Sequence, residues 1–105
     1  MSRFYMLAGT LQSFASLEAL QRLLKEASIV SRLIDDELEV EMAASMAIRT
    51  GFAHEYILVG DSRDAEILIT AAKQLSAVFN RQRMSHDYEI YDRDNQLIES
   101  YQQLF

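Results

Sequence analysis

Two histidines, His54 and His86, are the side chains of this sequence suited to proton transfer near neutral pH, and each adjoins an acid, Glu55 and Asp87. Neighbours on an extended strand point to opposite faces, so adjacency in sequence does not make either a histidine–acid pair. The serine best placed for nucleophilic chemistry is Ser62, which follows the apolar run Ile57-Leu58-Val59 and the dipeptide Gly60-Asp61. A hydroxyl where a strand runs into a helix lies near free amides that can stabilise an oxyanion, and it acts as a nucleophile when a histidine takes its proton. Ser62 with His54 or His86 is therefore the candidate catalytic set, and it requires a histidine nitrogen within about 3.5 Å of the hydroxyl. The acid run Asp35, Asp36, Glu37, Glu39 and Glu41 supplies oxygen ligands of the kind hard cations take. On a helix only Glu37 and Glu41 share a face, so the run reads as solvated charge. Asp92-Arg93-Asp94 opens like a calcium loop, but Gln96 and Leu97 stand where a ligand and the turn glycine are needed. With no cysteine in the chain, disulfides and thiolate metal sites are excluded. No metal or cofactor is assigned.

The string Ile57-Leu58-Val59-Gly60-Asp61-Ser62 resembles the nucleophile block of the Gly-Asp-Ser-Leu esterases. The resemblance implies a nucleophilic role for Ser62. It stops there: Arg63 replaces the leucine, the closing Asp-x-x-His of that family has no counterpart, and 105 residues are too few for its sheet. Ordinary capping of the following helix is the simpler role for Ser62.

Charge points to a different kind of function. The net charge of −6 opposes binding to phosphate backbones, which relies on Lys and Arg, so direct nucleic-acid binding is not expected. Five tyrosines, Tyr5, Tyr56, Tyr88, Tyr91 and Tyr101, all fall on predicted strands among Glu55, Asp87, Glu89, Asp92 and Glu99. Tyrosine offers contact area and a polar tip at little entropic cost. The expected function is that of a small interaction or regulatory protein docking on a larger, basic partner, for instance as a stoichiometric inhibitor masking a nucleic-acid-binding surface. Tyr88, Tyr91, Asp92, Asp94 and Tyr101 are its candidate partner-binding residues, and pairing as a homodimer is a second mode. The alternatives are a small hydrolase and a small-ligand module.

The elements that must position these groups belong to one domain spanning residues 1–105. Polar Thr10, Gln12 and Ser13 interrupt the apolar start of the chain, so a signal peptide is not expected there, and no apolar run reaches the ~20 residues of a membrane span. A cytoplasmic protein is expected. A first strand covers residues 3–8 and stops at Gly9. Leu17, Leu20, Leu24 and Ala27 form the stripe of a helix capped by Ser13 or Ser16. Residues 28–42 permit a hairpin around Asp35-Asp36, but the Asp36/Glu39 capping box, the run Ala43, Ala44, Met46, Ala47 and the basic end before Gly51 favour a second helix over 35–50. A strand over 52–59 ends at Gly60. A helix capped by Asp61 or Ser62 buries Ile67, Leu68, Ala71, Ala72, Leu75, Val78 and Phe79. A hairpin follows, Asp87–Tyr91 and Leu97–Gln102, with Asn95 left-handed in its turn. The fold class is α+β in the order β-α-α-β-α-β-β, with a mixed or antiparallel sheet of about four strands and helices on one face.

Overall fold

The computed structural model describes residues 3–105, so Met1 and Ser2 at the start of the chain lie outside it. Its elements are β1 (Tyr5–Gln12), α1 (Leu17–Glu26), β2 (Ser31–Ile34), β3 (Glu37–Glu41), β4 (Ser45–Thr50), β5 (Glu55–Ser62), α2 (Ala65–Arg81), β6 (His86–Tyr91) and β7 (Leu97–Gln103). The class is α+β as expected, but the sheet has seven strands, all antiparallel, in the order β2-β3-β4-β5-β1-β6-β7. Two local units, the meander β2–β5 and the hairpin β6–β7, are joined by β1, which pairs with β5 on one side and β6 on the other.

The helix expected over 35–50 does not form; β3 and β4 occupy that segment. Leu38 and Val40 on β3 alternate with Glu37, Glu39 and Glu41, while Met46 and Ile48 on β4 alternate with Ser45, Ala47 and Arg49. All four apolar side chains are buried. A helix would scatter them around its circumference, whereas the pleat puts them on one face. Asp35 takes a left-handed φ of 53° in the turn between β2 and β3, the hairpin turn that the Asp35-Asp36 pair permits.

Both helices end in the same way. In α1 the N–H of Ser28 bonds to the carbonyl of Lys25 and that of Ile29 to Leu24; in α2 Arg83 bonds to Asn80 and Met84 to Phe79. These are Schellman motifs, with Ser28 at φ 64° and Arg83 at φ 54° where glycine is usual, and with Ile29 and Met84 tucked into the core. The N-terminal cap of α1 is Ser16, one of the two expected; that of α2 is Asp64 rather than Asp61 or Ser62.

None of the three glycines has a positive φ. Gly9 does not end β1 but lies inside it, where a Cβ would run into the Cα of Tyr88 on β6. Gly60 lies inside β5 under the sulfur of Met46, and Gly51 opens the β4–β5 turn instead of ending a helix. One continuous core unites Leu20 and Leu24 of α1, Leu68, Leu75 and Phe79 of α2, and the buried strand residues Leu7, Leu11, Leu58, Tyr88 and Ile90. The strand residues between them face the other way, and no helix among the described residues covers that side.

Candidate functional site

Ser62 and the two histidines are not brought together. Ser62 pairs with Tyr5 at one end of β1, whereas His86 pairs with Leu11 and Glu55 with Gln12 near the other end. Six residues of strand separate Tyr5 from Leu11, ~20 Å at about 3.3 Å per residue. The Ser62 hydroxyl accepts from the backbone N–H of Asp64 and so stabilises the approach to α2, while the His54 ring packs against exposed Phe14 at a tilt of 40°, centroids 4.1 Å apart. The expected serine–histidine pairing is thus absent.

Sequence reasoning missed a different pair. Ser76 on α2 lies 2.9 Å from His86 Nε2, and His86 Nδ1 lies 2.8 Å from the Met84 carbonyl. A carbonyl only accepts, so Nδ1 carries a proton, and in the neutral imidazole Ser76 donates to Nε2. The pairing needs β6 beneath α2, and the nine residues between Ser76 and His86 carry no local sign of it. His86 is 2% exposed, among Phe79 and Tyr88, and neither His86 nor Ser76 lines any of the clefts described below. The arrangement satisfies a core histidine.

The tyrosines divide between the two faces. Tyr88 is fully buried and donates its hydroxyl to the Ala72 carbonyl at 2.6 Å, which takes it out of the expected docking set. Burial pushes its hydroxyl well above the ordinary tyrosine range. Tyr101 is half-buried, stacks on Tyr88 at 5.3 Å and is shifted up by burial and then by Glu99. Tyr56 bonds to the Ala15 carbonyl, and burial followed by the charge of Glu18 shifts it up. Tyr91 faces the open side and donates to the Glu89 carboxylate, a bond that holds its proton and raises its pKa. The carboxylate of Asp92 accepts the N–H groups of Asp94 and Gln96 and shapes the β6–β7 turn, with Asn95 left-handed at φ 63° as expected. Asp94 is exposed.

What the structure adds is the composition of the open sheet face. Strand registers put Arg32, Glu39, Ala47, Val59, Ala8, Glu89 and Ser100 in one row across all seven strands. A flanking row carries Ile34, Glu37, Arg49, Ile57, Thr10, Asp87 and Gln102; the other carries Glu41, Ser45, Asp61, Met6, Tyr91 and Leu97. With Glu55 at the start of β5, seven acids and two arginines lie on this face, five of the chain's six net negative charges. The remainder of the molecule is almost neutral. Arg32 pairs with Glu39 and Glu41, and Arg49 with Glu37, leaving Glu55, Asp61, Asp87 and Glu89 without an ion pair among the described residues; Glu55 accepts from Gln12 and Glu89 from Tyr91. The centre is apolar and accessible: Met6, Ala8 and Ile57 are exposed, Val59 and Ala47 half-buried. Part of the face is concave, with a cleft of about 560 Å³ lined by Met6, Glu39, Ala47, Arg49, Val59 and Asp61.

Other concavities are smaller or shallower in chemistry. Between α2 and the segments that follow α1 and β3 a cleft of about 300 Å³ is lined by Ile29, Met42, Ile67 and Ala71 together with Glu41 and Glu66. That is the lower limit for a small-molecule site. Arg22, Lys25 and Ser31 line another between α1 and β2. Among the described residues no helix is long and apolar enough to cross a membrane. No family model, no curated protein and no solved structure matches this chain.

Proposed function

We propose that this protein acts by docking a basic protein partner on the open face of its sheet, masking the partner's cationic surface in a stoichiometric complex. The observation that carries the reading is the concentration of net charge on one face around an accessible apolar centre. Apolar area supplies affinity, while a rim of one sign steers oppositely charged partners and repels others. The same charge opposes the expected homodimer through this face, since each copy would set five net negative charges against five. The docking residues under this reading are Ala8, Ala47, Val59, Asp61, Asp87 and Tyr91. Of the set read from sequence, Tyr91 lies within this face and Asp92 and Asp94 in the turn beyond it.

The test is capture from an extract of the source cells by the wild-type protein, Val59→Arg, Asp87→Lys and the control Phe52→Ser, whose ring is 89% exposed in the β4–β5 turn. Each variant's fold is checked by its thermal transition. A basic protein should be retained in equal amount by wild type and Phe52→Ser, and lost with both open-face variants and with added salt. Retention that ignores these variants, or affinity that does not weaken with salt, refutes the reading.

A further inference from the structure

We infer, resting on the open-face reading, that the element docked there is an α-helix bearing two cations eleven residues apart with small or apolar residues at the fourth and seventh positions between them. The argument starts from the nine residues at the middle of the face. On β5 they are Ile57, Val59 and Asp61; on β1, Thr10, Ala8 and Met6; on β6, Asp87, Glu89 and Tyr91. Asp61 and Asp87 occupy opposite corners, and they are the two acids of this face that neither an arginine nor a side-chain hydrogen bond engages. Ala8 is at the centre. Along the diagonal the side chains are small, so a rod can settle close to the sheet between the longer Met6, Ile57, Glu89 and Tyr91.

The diagonal has a definite length. Four residues of β1, from Met6 to Thr10, cover ~13 Å, and the two strand spacings from β5 to β6 cover ~10 Å, giving ~16 Å between the corners. A helix rises about 1.5 Å per residue, so eleven residues span ~16.5 Å. Eleven residues are also about three turns and return to the same side of the helix, with positions four and seven between them on that side. Cations at the two ends therefore reach Asp61 and Asp87 while the middle positions meet Ala8 and its neighbours. An extended strand covers the same length in about five residues and turns alternate side chains away from the sheet.

A second copy does not supply this helix. The cations of α1 are Arg22 and Lys25, those of α2 are Lys73 and Arg81, and none are eleven apart. Nucleic acid is opposed by the charge of the face.

The probe is an 18-residue synthetic peptide with Lys at positions 4 and 15 and Leu or Ala at 8 and 11. Its control moves the second Lys to position 13, about half a turn round the helix, with composition unchanged. Titrated into the isotopically labelled full chain, the first peptide should shift the amides of Ala8, Val59, Asp61 and Asp87 and gain helicity on binding. Asp61→Asn and Asp87→Asn should each weaken binding about two- to fivefold, the scale of an exposed charge pair. Equal binding by the two peptides, shifts mapping to the helical side or the sheet edges, or no binding overturns the inference. If the peptides fail while Val59→Arg still loses the captured partner, the docking reading stands and the helix does not; if both fail, both fall.

Discussion

Removing a single hydroxyl from the core should produce a stability difference that reverses sign with pH. Tyr88 is fully buried, and its hydroxyl donates to the Ala72 carbonyl at 2.6 Å. Tyr88→Phe deletes that bond while leaving the ring in place, at a cost of about 1 kcal/mol at neutral pH. Burial raises the pKa of Tyr88 in the fold, so the fold favours the neutral phenol. Its contribution is complete below the unfolded pKa of about 10 and is lost as pH rises from there towards the folded value, at about 1.4 kcal/mol per pH unit. Phenylalanine has no proton to lose. Tyr56 and Tyr91 are raised as well, but they titrate in both proteins and cancel in the difference, while the charge of Tyr101 adds to the rise at Tyr88. The wild-type advantage should therefore vanish between about pH 10.5 and 11 and then invert, because the loss accumulated by one tyrosine passes about 1 kcal/mol there. Urea unfolding of both proteins from about pH 8 to 11.5 measures it, provided each stays two-state. A gap that stays constant through pH ~11.5 would show that Tyr88 ionises as easily in the fold as in the unfolded chain, and would refute its burial.

Three further outcomes follow from backbone and core geometry. Ser28→Gly, at the left-handed position that ends α1, should raise stability by up to about 1 kcal/mol in chemical denaturation, and Arg83→Gly at the end of α2 by less, because it also removes a guanidinium that lies over the Phe105 ring. Gly9→Ala drives a Cβ into the backbone of Asp87 and Tyr88 and should cost more than about 3 kcal/mol, whereas Gly60→Ala meets the flexible sulfur of Met46 and, at 3.0 Å, the Ser45 carbonyl, and should be rescued in part by Met46→Ala in a double-mutant cycle. Ser76→Ala leaves the buried Nε2 of His86 without its donor and should cost about 1–3 kcal/mol, read as a lower thermal midpoint.

The two helices were legible because their signals are local. An amphipathic stripe and a nearby capping serine mark α1, and six of the seven apolar positions expected to be buried in α2 are buried, Ile67 being 38% exposed. The C-terminal hairpin was legible for the same reason, with Asp92 and Asn95 shaping its turn. The segment over 35–50 was not. Its alanines, its acids and Asp36/Glu39 all favour a helix over short range, by tenths of a kcal/mol per residue. That preference is outweighed when Leu38, Val40, Met46 and Ile48 are buried together, each worth about 1.5–3 kcal/mol.

The candidate site was legible only in outline. Composition and net charge pointed to a basic partner, and the alternation of Glu37, Glu39 and Glu41 with apolar residues is visible in the chain. Which acids share a face depends on register across strands as distant as Asp61 on β5 and Asp87 on β6. By itself the sequence determined the class, both helices, the final hairpin and the sign of the charge, because these depend on composition and on residues a few positions apart. Tertiary structure decided the number of strands, the burial of Tyr88, the Ser76–His86 pair and the gathering of five net charges on one face. The joining of these strands into one sheet requires β1 to lie between β5 and β6, a pairing that only burial of the assembled sheet against α1 and α2 selects.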